Sequence, residues 1–253
     1  MFGNLLLPPP RSARSSPLLR EWTCEAGECP LPQRLLRPHR PLPKPLATRG
    51  APRFASLLRP ATPRQDGFDF SSHMHRLIGA IAGDCGEFNH IDPARLLVTV
   101  TRARHSRRFG LQAKVTPLRF KEGRLVERRR GRLFQVQRYR VAGVELLYLI
   151  TFCVPRYLNQ SFEQKLITVF HEMFHIAPEF NGDLRRHHGR YCIHTASKKG
   201  YDAKMQARAE EYLKCFGPAE HLQFLRWNFE QLHQQYGGVR GLVLPMPKLV
   251  AVE

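Results

Sequence analysis

Apolar residues recur at helical spacing in Met74, Leu77, Ile78 and Ile81, with Ser71 placed to cap the first turn. The pattern then changes period. Leu96 to Thr101 is β-branched and weakly alternating, which predicts a strand. Three further strands are expected over Leu111–Leu118, Leu133–Val141 and Glu145–Val154, divided by turn signals at Gly123 and at Ala142-Gly143. The last is almost continuously apolar, the mark of a strand covered on both faces and central in its sheet. From Ser161 the helical period returns through Leu166, Ile167, Val169, Phe170, Met173 and Phe174, and Pro178 lies where that helix should end. Two more helices are expected at about 201–216 and 218–235. A short apolar segment follows at 241–250, which Pro245 and Pro247 confine to a sheet edge or an extended tail. The order predicts an α+β domain with a small, mostly antiparallel sheet packed on the helix that begins at Ser161.

The first 66 residues break this regularity. They carry 13 of the 20 prolines and no sustained period, so they are expected to be a disordered Pro/Arg-rich extension, with the folded domain spanning 67–253.

Residues 171–175 read His-Glu-Met-Phe-His. Positions four apart lie on one face of a helix, so His171 and His175 can present two imidazoles to one metal ion, and Glu172 sits where a carboxylate reaches a water beside it. With 12 histidines and 15 glutamates, a bare H-E-x-x-H match is expected by chance roughly 0.03 times in this chain. The helical context therefore carries weight. Ser161 followed by Gln164 is a capping-box pattern, and the motif falls in the last turns of a strongly apolar helix.

A catalytic zinc site takes three protein ligands and leaves one position open. Asn181-Gly182 is a strong turn signal, able to fold the chain back over the metal. That brings His187, His188 and His194 into range. Glu210 or Glu211 on the following helix is a more distant option. Spacing alone does not separate these candidates.

The stretch 171–191 resembles the SprT-like and phage-type metallopeptidases, in which the H-E-x-x-H helix is followed, after a variable loop, by a histidine with an aromatic residue four positions on. His187 and Tyr191 match that spacing, whereas His188 has Cys192 at the same offset. The longer stretch from Phe68 to about Leu213 resembles an uncharacterised bacterial metallopeptidase family. The carrying segments are Gly110-Leu111-Gln112-Ala113, Thr116-Pro117-Leu118-Arg119-Phe120, Gly182-Asp183-Leu184-Arg185-Arg186-His187 and Tyr201-Asp202-Ala203. The resemblance implies a minimal zincin-like fold, zinc held by His171, His175 and His187, and peptide hydrolysis through a metal-activated water with Glu172 as general base. Tyr191, Arg185 and Arg186 are candidates for steadying the oxyanion. A strand edge near 109–116 is a candidate for holding substrate backbone. Unlike the SprT-like families, this sequence has no C-terminal four-cysteine zinc ribbon.

Charge adds partners to consider. The formal net charge is +19, of which residues 67–253 hold 29 Lys/Arg against 17 Asp/Glu. Such an excess favours nucleic acid or an acidic protein substrate, and it promotes solubility. The densest run, Arg128-Arg129-Arg130-Gly131-Arg132, reads first as a solvated hairpin. Two other functions therefore stand beside the peptidase: a basic nucleic-acid-binding protein with a zinc site, and a zincin scaffold without turnover. The six cysteines form no C-x-x-C pair, and Cys153 reads as a core residue, so a reducing cytoplasm is the expected setting. No apolar run is long enough to cross a bilayer, and no membrane partner is expected. His73 and His75 read as packing or surface residues.

Overall fold

In a computed structural model, residues 18–23, 31–38, 66–103, 110–186, 198–217 and 219–252 are described. The chain is α+β. After β1 (Leu19–Trp22), β2 (Gln33–Leu36) and β3 (Phe68–Asp69) comes α1 (Phe70–Asp84). The strands β4 (Leu96–Arg102), β5 (Ala113–Pro117), β6 (Val126–Arg129), β7 (Arg132–Val136), β8 (Arg138–Val141), β9 (Val144–Glu145) and β10 (Tyr148–Val154) precede α2 (Phe162–Phe174). The chain ends with α3 (Lys198–Phe216), α4 (Glu220–Gln223), α5 (Phe229–Tyr236), β11 (Val239–Leu242) and β12 (Leu249–Val252). No helix among the described residues is long and apolar enough to cross a membrane.

The strands form four three-stranded sheets, where one small sheet was expected. Most pairings are antiparallel, with parallel pairs at β1–β8, β4–β10 and β3–β11. β10 lies between parallel β4 and antiparallel β5, in the central position its apolar run predicted. Its side chains alternate between two cores. Tyr148, Ile150, Phe152 and Val154 face a large cluster shared with α1, α2 and α3, whereas Leu149 joins a smaller one with Leu118, Tyr139 and Leu146. Burial on both faces is why Thr151 is the strand's one polar position, with its hydroxyl paired to that of Thr99 at 2.8 Å.

Several expectations are corrected. Asp69, not Ser71, caps α1, accepting from the Ser72 amide at 3.1 Å; Ser71 is buried and its hydroxyl accepts from the Leu242 amide at 2.9 Å. The expected strand 133–141 divides at buried Gln137, whose amide donates to Lys248 O at 2.8 Å, so that β7 and β8 enter different sheets. The helix expected over 218–235 breaks at Trp227-Asn228, because Asn228 starts a new helix with a complete capping box to Gln231. Pro245 and Pro247 occupy the connection between β11 and β12, leaving β11 free to be central between β2 and β3.

Within the Pro-rich segment, Leu19–Trp22 pairs with β8 and Gln33–Leu36 with β11, so disorder does not hold there. These short stretches bury apolar side chains against the rest of the chain. Leu31 and Leu36 are buried, and Trp22 meets Tyr139 edge to face at 5.4 Å.

Candidate metal centre

The motif helix forms for local reasons. The Ser161 hydroxyl accepts from the Gln164 amide at 3.2 Å, closing the first turn. Leu166, Val169, Phe170 and Met173 are buried on one side and fasten α2 to the core. The opposite side carries Gln164, Thr168, His171 and His175, spaced four, three and four apart. His175 is the C-cap, so the second imidazole stands where the helix gives way to loop.

The two imidazoles lie together. Their ring centroids are 4.7 Å apart and their planes cross at 77°. With metal–nitrogen bonds of about 2.0–2.1 Å, two imidazoles on one zinc ion have centroids roughly 5 Å apart. The observed separation is close to that value. His171 is half-buried and His175 is 8% exposed, so the site is sheltered yet reachable.

Glu172 is 7% exposed, and burial pushes its carboxyl up to about 7, with the Val115 amide of β5 pulling the other way. A carboxyl whose proton is held near neutral pH can accept and return a proton at working pH. The register explains why Val115 is the partner. Gln112 O accepts from the Cys153 amide at 2.8 Å and the Leu118 amide donates to Leu147 O at 3.0 Å, so even-numbered residues of this segment bond to β10. Odd-numbered Ala113 and Val115 turn their backbone groups outward, toward α2. β5 is thus an edge strand bordering the histidine pair.

Beyond His175 the chain turns back, as Asn181-Gly182 predicted. Ile176 bridges Leu184 in antiparallel fashion, and the Arg185 amide donates to His175 O at 2.7 Å. Gly182 has φ +89°, and a Cβ there would meet Arg119 Cγ at 2.5 Å, so both conformation and space demand glycine. The turn is held from below by Tyr148, whose hydroxyl accepts from the Gly182 amide at 2.9 Å and donates to Asp183 O at 2.7 Å.

Asp183 is the hub of the turn. Its carboxylate accepts from the amides of Glu122 and Leu184 at 2.9 and 2.8 Å and takes a two-pronged bond from Arg186 at 2.9 Å. Burial pushes this carboxyl up, but Arg186 and the two amides outweigh it and hold it below the usual carboxylate range. Its stabilising contribution is therefore complete above the unfolded-chain value of about 3.9 and is lost as pH falls through the lower folded value. Asp183→Ala should cost about 2–3 kcal/mol in urea denaturation at neutral pH, since two amides lose their acceptor. The gap to wild type should narrow on acidification.

The remaining site candidates sort as follows. His187, His188, Tyr191 and His194 lie outside the described residues. Among the described residues no third His, Cys, Asp or Glu completes a metal-binding group. Glu210 accepts from Gln206 at 2.9 Å, and Glu211 lines a separate cleft beside Cys85 and Arg208. Arg185 is tied to the end of α2. Its Nε donates to Phe174 O at 2.8 Å and its guanidinium covers the Phe174 ring at 4.1 Å, a clamp on the helix end. Arg186 is held by Asp183. His73 donates to Asp69 O at 2.8 Å and His75 to Pro93 O at 2.9 Å, so both are packing residues as expected. Cys85, Cys153 and Cys215 are free thiols, and Cys153 is buried.

Pattern reading missed Tyr148, Val115, Asp183 and Lys165. The Lys165 ammonium is buried under α2 and donates to Leu225 O and Trp227 O at 2.9 and 2.8 Å, while burial lowers its pKa to about 8. Only Asp183, two residues after Asn181, stood beside a recognisable signal.

No family model, curated protein or solved structure matches this chain.

Proposed function

We propose that the protein is a zinc-dependent metallopeptidase of zincin-like architecture, with His171, His175 and His187 as ligands and Glu172 as general base. The observation that carries this reading is the paired imidazoles, 4.7 Å apart, beside a glutamate that burial has tuned to about 7. The turn at Gly182 supports the third ligand. Arg185 is bonded to the backbone of His175, and His187 follows it two residues on in the sequence.

When bound, zinc would polarise the scissile carbonyl and make a neighbouring water acidic enough to lose its proton near neutral pH. The chain's own residues do the rest. Glu172 takes that proton and carries it to the leaving amine. The outward backbone groups of β5 other than the Val115 amide align an extended peptide by strand addition, which limits its freedom before reaction. Because the Val115 amide already engages Glu172, a peptide along this edge also adjusts the base.

The test is hydrolysis of an unfolded protein substrate by the full chain. Activity should vanish with a chelator and return with added zinc. Undiminished activity in chelator would refute the reading.

A further inference from the structure

The face of α2 that carries His171 and His175 also carries Thr168 and Gln164, one and two turns nearer the helix start. A groove of about 900 Å³ lies along this part of the face. Gln112, directly before β5, forms one wall, and Gln164 and Thr168 continue the helix face that presents His171 and His175. Arg156 and Arg226 supply positive charge, the Lys165 ammonium being turned to the carbonyls of Leu225 and Trp227, and no Asp or Glu lines the groove among the described residues.

Two of these cations are fixed in place. Arg156 donates to Leu111 O at 2.9 Å, just before the edge strand. Arg226 is exposed, rests on the Phe162 ring at 4.7 Å and has no carboxylate partner among the described residues. Beside the apolar surface of Phe162 and Ile167, the amides, hydroxyls and held cations of the lining offer hydrogen bonds to carboxylates.

We infer that this groove is the part of the substrate cleft that receives acidic side chains, so that the preferred substrate is an acidic peptide segment lying along α2 toward Arg226. This rests on the reading of the cleft as a peptide-binding site. It also gives a local purpose to part of the basic excess: like-charged peptides are repelled from this end, and acidic ones are drawn in.

The experiment uses the full chain carrying Glu172→Gln, so that binding is read without cleavage. Fluorescence anisotropy compares labelled octapeptides rich in Glu, Gln or Lys. The Glu-rich peptide should bind about tenfold tighter than the Gln-rich one, with the Lys-rich one weakest, and the preference should shrink at high salt. Gln164→Glu and Arg226→Glu, each added to Glu172→Gln, should each weaken the Glu-rich peptide several-fold. Gln164→Glu is informative because an acid in the first turn of a helix favours folding. Equal binding of the three peptides, or indifference to both added changes, would overturn the inference. Cleavage by the otherwise unaltered chain without acidic preference would do the same and leave the peptidase reading intact. Selective binding without any cleavage would uphold the groove and refute the peptidase.

Discussion

Glu172→Gln should retain zinc and lose hydrolysis, with kcat/KM falling roughly 10²–10⁴-fold, the usual contribution of a positioned base. The substitution keeps the side chain's length and an oxygen that can accept from the Val115 amide. His171 and His175 are held by the core packing of α2 and are left undisturbed. What disappears is the ability to take a proton. Burial also makes the change gentle on folding, since a neutral amide replaces a carboxyl that burial already penalises when charged. Metal content and thermal stability should therefore stay near wild type while turnover collapses. Equal turnover in both proteins would remove Glu172 from the chemistry.

His187→Ala should lower zinc affinity by roughly a hundredfold or more, beyond the ten- to hundredfold typical of outer partners, whereas His188→Ala should have the smaller effect. The reasoning combines two facts. The turn built on Gly182, Asp183 and Tyr148 fixes the chain against His175 up to Arg186, and His187 is the next residue. Adjacent residues also direct their side chains differently, so a loop that aims one histidine at the ion turns its neighbour aside. Competition with a chromogenic chelator reads both variants. The opposite order would transfer the third position to His188.

Most of the site's frame is readable from short-range pattern. The α2 helix, its Ser161 cap, the imidazole pair and the turn at Asn181-Gly182 all follow from spacing and turn chemistry, because each is decided within a few residues. The central place of β10 is likewise legible, since burial on both faces leaves a run that is apolar except at Thr151. The long-range partners were not. Nothing local says that the Val115 amide will face Glu172, that Tyr148 will brace a turn 34 residues away, or that Lys165 will find two carbonyls sixty residues on. Those pairings depend on how separate elements pack. The splitting of β7 from β8 at Gln137 has the same origin, since strand pairing with a segment more than a hundred residues later decides it. The two short strands before Phe68 were hidden by the surrounding prolines. Their few leucines and Trp22 find burial only on surfaces the rest of the chain provides.

Metal analysis of the purified full chain, alongside His171→Ala and His175→Ala, tests the shared imidazole site most directly. Wild type should carry about one zinc ion per chain, and each variant should retain only a small fraction of it while still folding. A wild-type protein that cannot be loaded with zinc, or variants that load as fully as wild type, would contradict the assignment of these two histidines as metal ligands.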